Sequence, residues 1–343
     1  MTVEKVTSVD VAKRAGVSQS AVSRVFTPGA SVSPKMAEKV LRAADELGYR
    51  PNVLARSLIT GRSRIIGLVV AYLENQFYPD ALEKLSNALQ ARGYHILVFM
   101  VSNDEAGIDQ VMGELLDYQV DGIITASVGM SNDLAARCAA AGVPVVLFNR
   151  GQDDDRLNQV TSDNFEGGRK IASFLAAGGH QKIAHIAGWS GASTGRDREA
   201  GFRAGLEQAG LELIACIDGM YKREIAADAA RKLFAGTDRP DAVFVGNDHM
   251  AFAVMDVLRF ELGLSVPGDV SVVGYDDVSL ASWPAYDLTT LRQPSNRMVE
   301  ATVTTLLDWI EEGGTHVQKI KIDGPLMIRG SVRIPEGWPD ARL

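Results

Sequence analysis

The sequence predicts an N-terminal all-α helix-turn-helix head followed by an α/β core of two doubly wound parallel-sheet lobes. Residues 1–64 hold 11 of the 35 basic residues but 5 of the 43 acidic ones, so a basic segment precedes an acidic remainder. Short apolar patterns of helical spacing, interrupted by Gly16, fill the basic segment. From Ile65 onward, β-branched runs alternate with amphipathic helices, which is typical of parallel sheets covered by helices on both faces.

The charge distribution restricts the classes of partner. A basic head on an acidic body indicates that the head alone meets a polyanion, the alternative being a solvated basic face. The composition, 46% hydrophobic and 23% charged, is that of an ordinary globular protein. We find no run of about 18 apolar residues that would span a membrane. The first ten residues, MTVEKVTSVD, lack the apolar centre of a signal peptide, so we expect a cytoplasmic protein.

The head begins with two short helices separated by a tight turn. Thr7 or Ser8 can cap the first helix, and Ser18 caps the second. Gly16 supplies the permissive backbone that the turn requires. The predicted inner faces are Val9, Ala12 and Ala15 in the first helix and Ala21, Val22 and Val25 in the second.

A third helix is predicted to brace the first two. Ser33 caps it, Pro34 occupies its first position, and it ends near Gly48. Its predicted inner face comprises Met36, Val40, Leu41, Ala44 and Leu47. Two short helices joined by a glycine turn and braced by a third are the pattern of a helix-turn-helix.

The second helix carries side chains suited to reading DNA. Its outward residues are Gln19, Ser20, Ser23 and Arg24, all of which form hydrogen bonds. In a major groove, Gln bonds bidentately to adenine and Arg to guanine, while Ser hydroxyls suit phosphates or base edges. The alternative is a solvated polar face on a small helical bundle.

Two stretches of the head, VTSVDVAKRAGVSQSAVSRVF and VSPKMAEKVLRAADELGYRPNVLARSL, closely resemble the DNA-binding head and hinge of the lactose-repressor (LacI/GalR) family. The resemblance runs through the whole head without an insertion. It implies that the second helix lies in the major groove of double-stranded operator DNA. The implied DNA contacts are Gln19, Ser20 and Arg24 to bases, Ser18, Ser23 and Thr27 to phosphates, and Thr7 and Ser8 from the first helix.

The segment PNVLARSLITG, residues 51–61, matches the hinge of that family. Asn52, which we also expect to contact DNA, can cap a helix of about eight residues, which is too short to be stable alone in water. The resemblance implies that this helix forms only when two subunits sit on DNA, and that Leu58 then wedges into the minor groove and kinks a central pyrimidine–purine step. The alternative is an ordinary linker helix that docks on the body.

The body alternates strands and helices in two halves, separated by the polar run 151–164. The predicted strands are 64–73, 95–101, 121–127 and 144–150 in the first half, and 182–188, 213–219, 242–247 and 269–277 in the second. The predicted helices are 81–94, 107–119 and 131–141, then 164–178, 196–209, 222–235 and 248–262. Two such halves predict two lobes with a cleft, in which ligands bind beyond the carboxyl ends of the strands.

The body also resembles the effector-binding core of the same family, which is similar to periplasmic sugar-binding proteins. The resemblance implies crossovers between lobes near 161–164, 290–294 and 318–323. It implies a head at 1–50, a hinge at 51–63 and a core at 64–343, with an N-lobe at about 64–161 and 293–319 and a C-lobe at about 162–290 and 322–336. The implied contacts to a small polar, sugar-like effector are Phe77, Tyr78, Asn149, Thr194, Arg198, Tyr221, Asn247 and Asp276.

Several of these residues also have simpler interpretations. Asp276 and Asp277 can cap the turn that follows them, and Arg198 can pair with a neighbouring carboxylate on a helix surface. The acidic run 153–155 predicts a solvated loop. The two cysteines, Cys138 and Cys216, read as reduced, buried apolar residues rather than a disulfide or a metal pair.

The sequence does not carry the usual signatures of an enzyme. GxSxG, the phosphate-binding loop and GxGxxG are all missing, and the five histidines show no metal-ligand spacing, so we expect no cofactor and no metal. A transport-type solute-binding protein, the second candidate, would have a similar body but a signal peptide in place of the head. The last residues lack leucine heptads, so we expect a homodimer matched to a pseudo-palindromic operator. The sequence thus predicts a DNA-binding regulator, most simply a repressor, controlled allosterically by its effector.

Overall fold

The chain divides into two units, Met1–Ser63 and Arg64–Leu343. The structure, a computed structural model, describes residues 6–27, 30–50, 62–101, 105–314 and 316–338. The predicted hinge helix, with Asn52 and Leu58, lies outside these residues and stays a prediction. Within the described ranges, no helix is both long enough and apolar enough to cross a membrane.

The first unit contains three helices, α1 (Ser8–Ala15), α2 (Gln19–Val25) and α3 (Pro34–Glu46). Gly16 adopts the left-handed conformation (φ 67°) that lets the chain turn from α1 into α2. The helices bury a common core of Val11, Ala12, Val22, Val40, Ala43 and Ala44. Two inner-face predictions are wrong, because Val9 is 41% and Leu41 50% exposed. Val11 and Ala43 are buried in the core of the head instead.

The start of α1 is fixed by Thr7, which resolves the choice between Thr7 and Ser8. The Asp10 carboxylate accepts hydrogen bonds from the backbone N–H of Thr7 (2.9 Å) and from its hydroxyl (2.6 Å). These bonds lower the pKa of Asp10. Ser18 caps α2 as predicted, since its hydroxyl accepts from the Ala21 N–H at 3.2 Å.

The second unit alternates strands and helices along its whole length. Its first part contains β1 (Ile65–Val70), α4 (Phe77–Gln90), β2 (His95–Met100), α5 (Glu105–Asp117), β3 (Gly122–Ala126), α6 (Asn132–Ala140), β4 (Val145–Phe148) and β5 (Asn158–Ser162). Its second part contains α7 (Asn164–Ala177), β6 (Ile183–Ala187), α8 (Ser193–Gln208), β7 (Leu213–Asp218), α9 (Arg223–Phe234), β8 (Ala242–Val245), α10 (Asp248–Asp256), β9 (Ser271–Asp276), β10 (Thr289–Arg292), α11 (Ser295–Glu312), β11 (Lys319–Ile322) and β12 (Leu326–Met327).

The strands form two six-stranded sheets, one in each lobe. The N-lobe sheet has the order β11-β5-β4-β3-β1-β2 and is parallel throughout. The C-lobe sheet has the order β12-β10-β9-β8-β6-β7, and β12 alone runs antiparallel to its neighbour. The fold class predicted from the βα alternation is therefore confirmed. The chain passes between the lobes after β5, after β10 and after β11.

Three features of the core differ from the sequence predictions. The polar run before residue 164 contains β5, in which Asn158 is buried and its amide oxygen accepts from the Gln318 N–H at 2.8 Å. The predicted helix 248–262 changes into a π-helical turn at Val257–Glu261. Strands β10, β11 and β12 and helix α11 lie after residue 277, where the sequence analysis predicted no element. Strands β11 and β12 are short edge strands, and β10 has four residues, so none of them contains the longer apolar run on which such predictions depend.

Two predictions about single residues are also wrong. Asp154 is buried rather than solvated, because its carboxylate accepts two hydrogen bonds from the Arg156 side chain, at 2.9 and 2.6 Å. Cys216 lies exposed on the edge strand β7, whereas Cys138 is buried on α6; both thiols are free.

Candidate functional site

The exposed face of α2 is the first candidate site. It presents side chains that form hydrogen bonds and are open to solvent, namely Ser18, Gln19, Ser20, Ser23 and Arg24. The Gln19 amide donates to the hydroxyl of Ser8 on α1 at 3.0 Å and so links the polar surfaces of the two helices. The structure therefore gathers the predicted residues of α1 and α2 on one polar surface.

Two further bonds order the end of this surface. The Thr27 hydroxyl donates to the Ser23 carbonyl at 2.8 Å, and Arg24 Nε lies 3.4 Å from the Ser20 carbonyl. The Arg24 residue is exposed. A short helix of this shape, with a basic and several amide or hydroxyl side chains, fits a major groove and can donate to base edges and phosphates.

A buried polar cavity at the strand ends of the core is the second candidate site. It is surrounded by Tyr72, Asn75, Tyr78, Ser127, Asn149, Thr194, Arg198, Tyr221, Asn247 and Asp276. These residues follow β1, β3, β4, β6, β7, β8 and β9, so carboxyl ends from both sheets meet here as predicted. The free space is about 10 Å³, room for a single water, so a larger ligand requires the walls to move apart.

Seven of the eight predicted effector residues surround this cavity. Phe77 is the exception: its ring stacks on Phe148 in the N-lobe core, with centroids 6.1 Å apart, and faces a neighbouring crevice instead. The prediction missed Tyr72, Asn75 and Ser127. Tyr72 and Ser127 lie at the ends of the predicted strands 64–73 and 121–127, and Asn75 follows the first of them, so position at a strand end was the available signal.

Arg198 on α8 is buried and its guanidinium is held from several sides. Its Nε donates to the Asn164 side chain at 2.8 Å, and its Nη1 donates to the Gly246 carbonyl at 2.6 Å. The guanidinium lies over the Tyr275 ring, 3.6 Å from the centroid. Its Nη2 is 3.7 Å from Asp276. The interpretation of Arg198 as a surface residue paired with a helical neighbour is therefore wrong.

The glycines of α7 and α8 explain how Arg198 reaches this position. A Cβ at Gly168 would lie 2.2 Å from the Arg198 carbonyl oxygen, and a Cβ at Gly201 would lie 1.8 Å from that of Phe165. The two helices therefore touch backbone to backbone. This contact brings Arg198 beside Asn164, the first residue of α7.

Asp276 joins the two lobes at the cavity. Its carboxylate accepts from the Asn75 amide of the N-lobe at 3.0 Å and from the Gln293 amide at 2.7 Å. Burial raises the pKa of Asp276, and the charge of Arg198 opposes this rise. Asp277, in contrast, forms ion pairs with Arg292 and Arg329, both at 2.6 Å, and has a structural role.

Asp248, the first residue of α10, is buried and holds the loop after β9. Its carboxylate accepts from the Thr290 hydroxyl at 2.6 Å and from the Val278 N–H at 3.0 Å. Burial, followed by the charge of Asp276, raises the pKa of Asp248. Asp248 thus orders the loop that follows Asp276, and it is not among the residues that surround the cavity.

Tyrosine rings and hydroxyls form much of the cavity wall. The Asn149 amide donates to the Tyr78 hydroxyl at 2.9 Å, and the hydroxyls of Thr194 and Tyr221 are 3.0 Å apart. Tyr72 lies edge-on to Tyr78, with centroids 5.4 Å apart. Burial raises the pKa of both Tyr72 and Tyr78, so their hydroxyls remain protonated donors.

Polar atoms and strained backbone mark the cavity as a binding site. In the described part of the chain, Oδ1 of Asn149 and Nδ2 of Asn247 in the cavity wall are buried without hydrogen-bond partners, as is Oε1 of Gln293, which contacts Asp276. Positive φ values occur at Ser127, Asn149, Tyr221 and Asp276. Unsatisfied buried amides are costly, and strained residues collect at ligand sites. A ligand with several hydroxyls would satisfy these amides. No cluster of metal-ligating side chains occurs among the residues that the structure describes.

Comparisons with known proteins agree on both units. Residues 7–52 match the family of bacterial regulatory proteins called the lacI family, and residues 172–332 match a periplasmic binding protein-like domain. The ribose operon repressor of Escherichia coli K12 is 32% identical over 330 residues, covering 95% of this chain and 99% of that protein. The regulator CelR of Thermobifida fusca is 35% identical over 334 residues, covering 94% of this chain and 96% of that protein.

A solved structure shows the same architecture over nearly the whole length. The lac repressor dimer bound to operator and the anti-inducer ONPF superposes with a TM-score of 0.86 at 29% identity, covering 96% of this chain and 99% of that chain.

Proposed function

The chain belongs to the lacI family of bacterial regulatory proteins, and from this premise we propose that it represses transcription by binding a pseudo-palindromic operator as a cytoplasmic homodimer, under the control of a small sugar-like effector. The observation that carries the proposal is that one chain has both the polar face of α2 and the buried cavity at the strand ends. A transport-type solute-binding protein does not require the polar face of α2.

The head supplies sequence recognition in this proposal. Gln19, Ser20 and Arg24 contact bases, and Ser18, Ser23 and Thr27 hold phosphates, with Thr7 and Ser8 contributing from α1. The hinge at 51–63 joins the head at 1–50 to the core at 64–343, and Leu58 acts as the minor-groove wedge. Two half-sites related by a two-fold axis require two heads, hence a dimer.

The cavity binds the effector in this proposal. Arg198, Asn247 and Asp276 bind hydroxyl groups, Asn149 and Thr194 extend this set, and the rings of Tyr78 and Tyr221 cover an apolar face of the ligand. Relatives support a sugar: one is named a ribose operon repressor, and CelR has been solved as a complex with cellobiose. The solved operator complex of the lac repressor supports the dimer and the DNA partner.

The effector acts by linkage. It binds one arrangement of the lobes better than the other, and the arrangement of the lobes sets how the two hinges can be placed on DNA. An effector that prefers the DNA-incompetent arrangement releases the operator, and one that prefers the competent arrangement strengthens operator binding.

Selection of binding sites from a randomised DNA library, followed by fluorescence anisotropy, tests the DNA-binding part. We expect a two-fold symmetric site. We expect Gln19→Ala to lose about 1–3 kcal/mol of discrimination at one symmetric base position, as one bidentate contact provides. Gln90→Ala on the exposed surface of the core is the matched control. A wild-type protein that selects no site, or a Gln19→Ala protein that selects the same site as sharply, would contradict the assignment.

A thermal-shift screen of sugars, polyols, sugar acids and sugar phosphates tests the effector part, because a ligand of the native state raises the melting temperature. We expect at least one class to raise it and to change operator affinity. Arg198→Met should remove the response while the protein still binds the operator. Arg203→Met, on the same helix but exposed, should respond like the wild type. A normal response from Arg198→Met would show that the cavity is not the effector site.

A further inference from the structure

Arg150, at the end of β4, is a second buried arginine next to the cavity, and its surroundings differ from those of Arg198. Its side chain is 8% exposed. Its Nη2 donates to the Ser127 hydroxyl at 3.3 Å, and its Nε is buried without a partner. Among the residues that the structure describes, no carboxylate forms an ion pair with it. Arg198, in contrast, has Asn164, Gly246 and Asp276 as partners.

A buried cation without a counter-charge is costly, because its desolvation is repaid only by a nearby anion or by several acceptors. Arg150 lies over the Trp189 ring at 5.4 Å, which offsets part of that cost. The hydroxyl of Ser127 offers it a neutral acceptor. The remaining guanidinium N–H groups therefore point to an acceptor that the polypeptide does not supply.

Arg150 borders an interlobe crevice of about 260 Å³ that adjoins the cavity. The two spaces are neighbours because Ser127, the acceptor for Arg150, belongs to the cavity wall, as does Asn149, the residue before Arg150. On the C-lobe side the crevice meets Trp189, Ser193 and Arg196. A ligand in the cavity can thus extend one substituent into the crevice.

The chemistry of the crevice is that of an anion site. The 16-residue helix α8 begins at Ser193, and its N-cap residue, Ala192, provides no side-chain cap. The positive end of the helix dipole and the free N–H groups of the first turn are thus available to an anion. Arg196 adds a second positive charge at the mouth. The acidic residue at the wall, Asp153, is exposed, so the balance stays positive.

We propose that this crevice binds an anionic oxygen group, a carboxylate or a phosphate, carried by the effector, and that Arg150 is the residue that selects it. The inference rests on the proposed function, since it assigns the chemical class of the same effector. Arg198, Asn247 and Asp276 would bind the hydroxyl groups, and Arg150 would decide between a neutral sugar and its acid or phosphate ester.

The test uses Trp189 as a reporter in the full-length protein at constant ionic strength. The probes are inorganic phosphate and two matched sets: ribose, ribonate and ribose 5-phosphate, and glucose, gluconate and glucose 6-phosphate. We expect inorganic phosphate to change the tryptophan fluorescence saturably. In any set that binds, we expect the better anionic member to bind at least tenfold more tightly than the neutral sugar. Comparison of the affinities of the sugar acid and the phosphate ester identifies which anionic group the crevice prefers.

The variants separate the crevice from general effects of charge. Arg150→Gln should abolish the phosphate response and reduce the anionic members to the affinity of the neutral sugar. Arg150→Lys should retain part of both, and Arg203→Gln should behave as wild type. Trp189→Phe should remove the signal and so identify its source. A wild-type protein without a phosphate response, or an Arg150→Gln protein that retains it, overturns the inference. Loss of operator selection by the wild type would instead overturn the proposed function, and this is measured without any effector.

Discussion

The buried His185 on β6 predicts a measurable dependence of stability on pH. Its ring is stacked on Phe244 with centroids 4.5 Å apart, and its Nδ1 is 2.8 Å from the Phe244 carbonyl oxygen, so Nδ1 carries the proton and donates. Its Nε2 is buried without a partner among the described residues. Burial, which disfavours the charged ring, lowers the pKa of His185 from 6.5 to about 4.

The lowered pKa of His185 determines how the free energy of unfolding changes with pH. The folded protein binds the proton less readily than the unfolded chain does, so the stabilisation is complete above pH 6.5 and is lost as the pH falls towards 4. Between about pH 7 and pH 4.5, a pKa that drops from 6.5 to about 4 removes roughly 2.4 kcal/mol from the free energy of unfolding.

Urea unfolding of the wild type and of His185→Leu, at several pH values from 7 to 4.5, measures this contribution. Leu is close to His in volume, and we expect the variant to be about 1 kcal/mol less stable at pH 7 through the lost hydrogen bond to Phe244. Other titrating groups affect both proteins alike, so the difference between the two curves isolates His185. We expect the wild type to lose roughly 2 kcal/mol more than the variant over this range. Parallel curves would refute the reasoning.

Three further predictions concern the helix pair, the lobe contact and the head. Gly201→Ala should destabilise the protein by about 3 kcal/mol, because its Cβ would overlap a backbone carbonyl; urea unfolding should show Gly236→Ala, where there is space, as neutral. Asn75→Leu removes a hydrogen bond between the lobes that an entering ligand must break, so titration calorimetry should show effector affinity raised up to about tenfold; reduced affinity would mean that the Asn75 amide itself binds the effector. Arg24→Gln should relax specificity at one base position while the salt slope of operator binding stays constant; a slope smaller by about one would assign Arg24 to a phosphate instead.

The sequence was sufficient for the fold and for most of the cavity, because both depend on local patterns. Long apolar runs predict buried parallel strands, and polar residues directly after them predict the site, as with Asn149, Asn247 and Asp276. Asn75 and Ser127 belong to the same pattern but their roles depend on contacts with residues distant in the chain. Which of two adjacent residues faces inward also depends on those contacts, and this is why Phe77 was placed in the cavity and Val9 in the core of the head.

The buried charged residues show more clearly what local sequence cannot predict. Nothing in the local sequence distinguishes Asp276 from Asp277, yet the fold gives one to the cavity and pairs the other with Arg292 and Arg329. Likewise, Arg150 and Arg198 differ only through the partners that distant segments bring to them. Such roles are set by tertiary contacts. Resemblance to a family predicts them only where this chain has the same residue as the family at the matching position.

The contacts between the lobes suggest why a small ligand can control this molecule. Away from the crossovers, and within the described ranges, hydrogen bonds join the lobes at Asn75–Asp276 (3.0 Å), Gln76–Ser279 (3.5 Å) and Gly151–Ser193 (3.0 Å). The first bond is made to a carboxylate and contributes about 1.5–3 kcal/mol, and the two neutral bonds contribute about 0.5–1.5 kcal/mol each. Together they approach the roughly 5.5 kcal/mol needed to move a two-state equilibrium from 1:99 to 99:1. They also border the cavity or its crevices, so a ligand that enters must break or replace them. Ligand binding is thereby coupled to the arrangement of the lobes, and such coupling is what an allosteric regulator requires.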